Sequence, residues 1–508
     1  MRRLMPGLAL AAICAALLVV ALRFGSFVAG GSDSYCYVHQ AERWASGRLL
    51  VAEPLALAAP WPDAPLTFAP AGHRPSPAVP GAIVPICPPG VSLLMAIFLL
   101  AAGREAMFLV IPLCGAALVV GTYLLGSRVS RAVGLAAAAV TAASPIVLYQ
   151  VIQPMSDVPA AAFWVLALAA ATTTASGLRG PALAGVCAAI GILIRPNLLP
   201  LGVVIGLFLL VRPSLPWRAR ALAGAAYAAG CAVACVAVLL IQRHFYGSPF
   251  ASGYGGLDEI FAASHLEPNA ARYGAWLLES QTALVVLALG APLVLPRAFA
   301  ALCLSFCAVT VAAYLPYLVF EDWSYVRFLL PAIPVLTVLM LATLSTVAAR
   351  AGARWGPVSL ALSAVVLVVL GIRTAETRQV FQLARLESVF ARSGEVVGRR
   401  LPGNAIVITS RYSGSVRYYG GRRTIVWDVL DPAWLDRVVA FAGERGFEPY
   451  FLLDSSEEAA FRQRFAGSAL ARLDWPPLIE IAPQVRVYRP GDRDRYLRGE
   501  SRPTEYVR

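Results

Sequence analysis

The chain has 508 residues, 58% of them hydrophobic and 14% charged, with a mean hydropathy of +0.68. Soluble globular domains carry about 25% charged residues, so an ordinary soluble enzyme is excluded, and so are a disordered chain and a small disulfide-stapled domain. The net charge of +13 rests on 42 basic residues, every one an arginine, scattered through short hydrophilic breaks rather than gathered into the patch a nucleic acid needs.

A hydrocarbon core of about 30 Å takes roughly 20 apolar residues in a helix. In chain order, apolar stretches near 7–28, 106–126, 132–150, 158–175, 181–194, 198–211, 220–241, 281–296, 299–319, 327–347 and 356–372 predict eleven spans. A further stretch, 88–103, opens on Pro88-Pro89-Gly90 and is short, which predicts an interfacial or re-entrant helix. The expected fold is an all-α polytopic membrane domain over 1–373, followed by a small α/β domain over 374–508.

Charge orients the spans. Arg2 and Arg3, Arg128 and Arg131, Arg179, the Arg212–Arg220 cluster, Arg297, and Arg350 with Arg354 sit in short breaks that hold no acid. The positive-inside rule assigns these breaks to the cytoplasm. Every acidic residue before Thr374 then lies on the other face, and eleven spans carry the C-terminal domain there too. In a Gram-negative bacterium that means a multi-pass inner-membrane protein with a cytoplasmic N-terminus and a periplasmic tail. The N-terminal apolar stretch reads as an uncleaved helix, because cleavage would upset this parity.

Two large outer loops follow from this scheme. The first, about 31–88, is proline-rich after Glu53 and mostly irregular, with a short helix expected over 34–47. The second, about 242–280, holds Tyr254 in a Gly- and Ser-rich stretch that matches neither a P-loop nor a dinucleotide fingerprint. In the tail, strands are expected at Ala405–Ser410, Thr424–Asp428, Pro449–Asp454 and Ile479–Tyr488, and helices at 431–446 and 455–465.

Ionisable groups at membrane depth are costly and are functional candidates by default. Asp33 follows the first span, Asp157 opens the fourth, and Arg195 separates two short apolar runs. A guanidinium fork suits phosphate oxygens. Arg327 lies at the start of a later span, beside Glu321, Asp322, Trp323 and Tyr325. A plain reading accompanies each: Asp157 as a first-turn carboxylate on the helix dipole, Arg195 snorkelling, and Trp323 with Tyr325 in an aromatic belt. The four histidines show no metal spacing, so no metal ligands are assigned, and no cofactor is required by the sequence. Cys36 and Cys87 share the first outer loop, where an oxidising compartment would let them pair.

These features together resemble the GT-C membrane glycosyltransferases, among them the protein O-mannosyltransferases and lipid A aminoarabinose transferases of the family-39 type. The resemblance rests on Asp33, Cys87-Pro88-Pro89-Gly90, Ser144-Pro145 followed by Asp157-Val158-Pro159, and Trp323-Ser324-Tyr325-Val326-Arg327-Phe328. It implies an active site at the outer membrane surface, a polyprenyl-phosphate-linked sugar as donor, and a cell-envelope glycan, lipid or protein as acceptor. It implies Asp33 as the catalytic carboxylate, with Asp157 as a second catalytic candidate. Relatives often carry a lysine before the paired prolines to meet the lipid phosphate. Here Ile86-Cys87 stand there and the chain has no lysine, so Arg195, Arg327 or Arg74 must supply the cation. Paired acids after the first helix are also missing, since Ser34 follows Asp33, so a divalent metal is unsupported. Tyr35, Pro88, Pro89, Tyr254, Glu321, Asp322, Trp323 and Tyr325 are the expected lining of the substrate pocket.

The chemistry agrees with that implication. Sugar transfer from a lipid phosphate needs a carboxylate for the acceptor hydroxyl and cations for the leaving phosphate. Attack opposite the leaving group inverts the anomeric carbon. A secondary transporter, or a flippase or receptor for lipid-linked glycans, is the competing class. Transporters show internal repeats and acids near mid-membrane, whereas no repeat is visible here and the acids cluster at one face.

Overall fold

A computed structural model describes residues 5–173, 177–212, 215–500 and 502–507. Arg2, Arg3, part of the Arg212–Arg220 cluster and the end of the span expected over 158–175 lie outside the described residues.

The chain divides into two compact units. One comprises Met1–Gly25, Pro88–Ile241 and Tyr254–Ala384; the other comprises Ser26–Cys87, Gln242–Gly253 and Arg385–Arg508. The first outer loop thus folds in one unit with the tail, and the unit boundary falls after Ala384.

In the first unit, six helices among the described residues are long and apolar enough to cross a membrane: Met5–Phe24, Arg104–Gly126, Trp217–Tyr246, Arg297–Tyr314, Ala332–Arg350 and Trp355–Thr377. Two bent pairs raise the number to eight: Arg131–Ala142 with Pro145–Val151, bent by 61°, and Ala263–Gln281 with Ala283–Leu293, bent by 95°. The chain is a multi-pass membrane protein, and up to eight of the eleven expected spans are found at full length among the described residues. Proline explains one break: it removes a backbone donor and disfavours the α conformation of the residue before it, and Ser144 before Pro145 is accordingly extended, at ψ 129°. The other break sits at Thr282, whose φ is 63°. Asp157–Ala171, Arg179–Ile194 and Pro196–Val211 match expected spans but are shorter apolar helices, as is Pro89–Ala102. At 1.5 Å per residue such helices reach only about 20–24 Å. Asp157–Ala171 is buried almost all round, the mark of a central helix rather than a lipid-facing one.

The second unit holds two sheets. Three short strands, β1 (Val51–Ala52), β2 (His73–Pro75) and β3 (Ala82–Pro85), pair antiparallel in the order β1-β3-β2. The tail contributes β4 (Ala405–Ile408), β5 (Arg423–Ile425), β6 (Glu448–Asp454), β7 (Ile479–Ile481), β8 (Val485–Tyr488) and β9 (Glu505–Val507). They form one sheet in the order β5-β4-β6-β8-β7-β9, parallel between β5, β4 and β6 and antiparallel where β8 joins. The single strand expected over Ile479–Tyr488 is a hairpin, β7–β8. Helices Leu383–Arg400 and Ser413–Gly420, and strand β9, were not anticipated.

The core on one side of this sheet recruits the first outer loop. Trp61 and Phe68 are buried with Ile406, Ile425, Phe441, Phe451 and Phe461, and the Trp61 ring meets Phe441 edge-on at 5.2 Å. Thr67 accepts a hydrogen bond from the Val426 amide at 2.6 Å, continuing the sheet's edge. The supposedly irregular loop is therefore structural.

Candidate active site

Arg195 organises the polar centre of the first unit. It ends the Arg179–Ile194 helix, with φ −141° and ψ 88°, because Pro196 disfavours continuation. Its Nη2 donates to Asp157 Oδ1 at 2.7 Å, Nε to Ser156 Oγ at 3.1 Å, and Nη1 to Tyr314 Oη at 2.8 Å. The Asp157 side chain is fully buried and that of Arg195 is 14% exposed, so this is a desolvated ion pair. Such a pair persists because each charge is uncompensated without the other. Asp157 Oδ2 has no hydrogen-bond partner among the described residues.

The Pro88-Pro89-Gly90 segment comes to the same place. A Cβ on Gly90 would lie 2.4 Å from the Ile194 nitrogen and 2.5 Å from the Leu193 carbonyl carbon, so only glycine permits this approach. Pro88 is extended, at ψ 150°, and Pro89 starts the next helix.

Aromatic rings complete the cluster. Tyr314 stacks on Phe328 at 4.8 Å, with the planes 5° apart. The Arg195 guanidinium carbon lies 5.5 Å from the Phe328 centroid, and that of Arg327 lies 5.4 Å from Phe328 and 4.8 Å from Tyr325. Tyr325 in turn stacks on Phe320 at 3.8 Å. Two guanidinium groups thus share one ring, an arrangement that favours cations and is strong where water is excluded.

The segment carrying Tyr314 is gripped by one helix face. His265, Asn269 and Arg272, spaced i, i+4 and i+7, each bond backbone carbonyls of residues 315–320. Asn269 Nδ2 donates to Leu315 at 3.0 Å and to Tyr317 at 2.6 Å, and Asn269 is buried. The remaining expected lining is dispersed around this cluster. Trp323 packs on Tyr149 and under Arg378, and Asp322 caps its own turn by accepting from the Ser324 amide. Glu321 is 91% exposed and pairs with Arg272 at 3.6 Å, and Tyr254 is exposed.

In the second unit, Asp33 is the first residue of the Asp33–Ser46 helix and is half-buried. One turn on, Cys36 is disulfide-bonded to Cys87, with Cα atoms 6.3 Å apart. Gln40 donates to the Cys87 carbonyl at 3.3 Å. Tyr35 is buried, which pushes its phenol up to about 12. Its ring stacks on His39 at 5.2 Å. His39 Nδ1 and His73 Nε2 share a hydrogen bond of 2.9 Å. Burial, reinforced by Arg43 and Arg417, lowers His39 to about 3 and His73 well below its ordinary range. Arg74 commits its Nη1 to the carbonyls of Ser252 at 3.1 Å and Gly253 at 3.4 Å.

Of the residues singled out in the sequence, Arg195, Asp157, Pro88 and Pro89 come together, with Arg327 and Tyr325 joined through Phe328. Asp33 and Tyr35 share one helix of the other unit, and Arg74 is tied to a loop there. Ser156, Tyr314, Phe328, Asn269 and the histidine pair were missed. The aromatic run Tyr314-x-x-Tyr317-x-x-Phe320 was a readable signal. The histidine pair, 34 residues apart, was not.

No family model and no curated relative matches the sequence. Several solved structures do resemble the chain. ArnT from Cupriavidus metallidurans in the apo state aligns with a TM-score of 0.60 and 12% identity, covering 97% of this chain and 98% of that one. ArnT from the same organism bound to undecaprenyl phosphate aligns with a TM-score of 0.57 and 13% identity, covering 89% and 94%. The alignments run across both units, and the fold they share with this chain is GT-C-like.

Proposed function

We propose that the protein is a glycosyltransferase that moves a sugar from a polyprenyl-phosphate donor to an extracytoplasmic acceptor, with inversion at the anomeric carbon. The observation that carries this reading is the likeness, over 89% of the chain, to a structure holding undecaprenyl phosphate. The acceptor is a cell-envelope glycan, lipid or protein, and the reaction face is the periplasmic side of a bacterial inner membrane.

In the proposed step the acceptor hydroxyl attacks the anomeric carbon. Its proton passes to the Asp33 carboxylate, a new C–O bond forms, and the bond to the phosphate oxygen breaks. The polyprenyl phosphate leaves with that electron pair. Cations must meet its growing charge, and Arg195 and Arg327 are the candidates, taking the place of the lysine this chain lacks. Arg74 is a third candidate; its Nη1 already meets backbone carbonyls, as Nε, Nη1 and Nη2 of Arg195 already meet Ser156, Tyr314 and Asp157. Asp157 is better suited to holding Arg195 than to taking a proton, since its side chain is buried against that cation.

The test is release of polyprenyl phosphate by purified full-length protein given polyprenyl-phosphate sugars and envelope acceptors, with NMR of the product's anomeric configuration. Wild type is expected to release the lipid phosphate and Asp33→Asn to lose at least about 100-fold, the scale of general-base catalysis. Binding of the lipid without release under every acceptor condition would overturn the transferase reading in favour of a transporter or receptor.

A further inference from the structure

The loop leading into Asp33 is glycine-rich, while the helix after it is tied down by the Cys36–Cys87 disulfide. The loop runs through Gly25-Ser26 and Gly30-Gly31-Ser32, and Gly31 has φ +54°. A reacting group on such a segment needs support from elsewhere, because catalysis depends on sub-ångström placement.

That support comes from one short helix of the tail, Ser413–Gly420. Tyr419 Oη accepts from the Ala29 amide at 2.8 Å. Tyr418 Oη donates to Glu42 at 2.6 Å, and its ring meets Tyr35 edge-on at 6.3 Å. Ser413 Oγ accepts from the Ala71 amide at 2.9 Å. Arg417 bonds Glu53 at 2.9 Å and the Phe68 carbonyl at 2.7 Å. At Gly414 the helix lies directly against Tyr35: an added Cβ would sit 2.3 Å from the ring. These contacts flank Asp33 on both sides in sequence, at residues 29, 35 and 42. The helix reaches the tail's own core through Val416, which is buried with Val407 and Tyr450. Its Tyr418 and Tyr419 hydroxyls serve the segments on either side of Asp33, while Arg417 also donates to Thr424 of β5.

Resting on the function proposed above, we infer that Tyr418 and Tyr419 are positioning residues for Asp33, so that the tail is part of the catalytic apparatus rather than a separate docking module. They hold the loop before Asp33 and the helix after it, and act only through that carboxylate.

The experiment uses full-length protein carrying Tyr418→Phe with Tyr419→Phe, which keeps both rings and removes both hydroxyls. Hydrogen exchange is read over residues 29–42 and over the tail sheet, and donor turnover is measured in parallel. The expected result is faster exchange confined to 29–42, with kcat lowered about 10- to 100-fold and the donor KM unchanged. Wild-type protection at 29–42 in the double variant overturns the inference. So does wild-type kcat despite faster exchange, and so does loss of protection across the whole sheet, which would mark the hydroxyls as merely structural. If the wild type turns over no donor, the proposed function fails, and the exchange data alone decide the contact.

Discussion

Arg195 and Asp157 are paired charges, and the Asp157 side chain is fully buried. Removing one partner of such a pair costs about 3–5 kcal/mol, while removing both costs far less. Arg195→Gln and Asp157→Asn are each expected to lower the unfolding midpoint sharply, and the double variant is expected to recover much of the loss. Additive losses in thermal unfolding would refute the pairing. The buried imidazoles give a second expectation at this scale. The folded values of His39 and His73 lie below the ordinary 6.5, with His39 at about 3. Below pH ~6.5 the unfolded chain binds protons that the folded chain refuses, so stability falls as pH falls, by about 1.4 kcal/mol per unit for each imidazole. Burial raises Glu387 and Glu457 to about 7, and these carboxyls work the other way over the same range, so the test is a difference between two proteins: from pH 7.5 to 5 the wild-type midpoint is expected to fall relative to that of His39→Asn. Parallel profiles would contradict the exclusion of a proton from His39. Arg195 was legible in the sequence because a charge between apolar runs is conspicuous. Its partner Tyr314 belongs to a readable aromatic run, but the pairing itself spans 119 residues, which no local pattern records.

Among the elements, the Leu266–Gln281 helix does the most with the fewest residues. Its carbonyl-binding face holds the segment whose Tyr314 hydroxyl receives Arg195. Asn269→Leu leaves the carbonyls of Leu315 and Tyr317 without this donor, a loss of about 1–3 kcal/mol if they stay buried. It is expected to weaken binding of the lipid phosphate, and Asn269→Asp, which cannot donate, is expected to do the same. Unchanged lipid affinity in both variants would separate the clamp from the Arg195 site. Apolar runs predicted where helices form, since burial in lipid leaves few other options for backbone polar groups. Helix ends were legible where the apolar run itself stops: Ile194 is followed by Arg195-Pro196, and Ala171 by three threonines. The strand order of the tail rests on pairings up to about 40 residues apart, and the use of Trp61 in its core on contacts more than 300 residues apart, neither of which periodicity records.

At the scale of the molecule, two units are threaded from one chain, each assembled from three segments. Part of the core on one face of the tail sheet is borrowed, since Trp61, Ala64 and Phe68 pack into it from the first outer loop. A fragment of residues 385–508 is expected to aggregate or remain a molten globule, with ANS binding and no sharp near-ultraviolet circular dichroism. Co-expression with residues 26–87 is expected to restore a cooperative transition. An isolated tail that unfolds cooperatively would show the loop to be dispensable.

This sharing also sets a schedule for synthesis. The ring closed by Cys36 and Cys87 contains Trp61 and Phe68, and both cysteines leave the ribosome long before β4. At 5–20 residues per second the gap of about 320 residues from Cys87 to β4 lasts roughly 16–64 s. For that interval the newborn chain displays a greasy, covalently closed template with nothing to cover it. The nascent ring is then a natural client for chaperones, and the last quarter of the chain arrives to a surface already waiting for it.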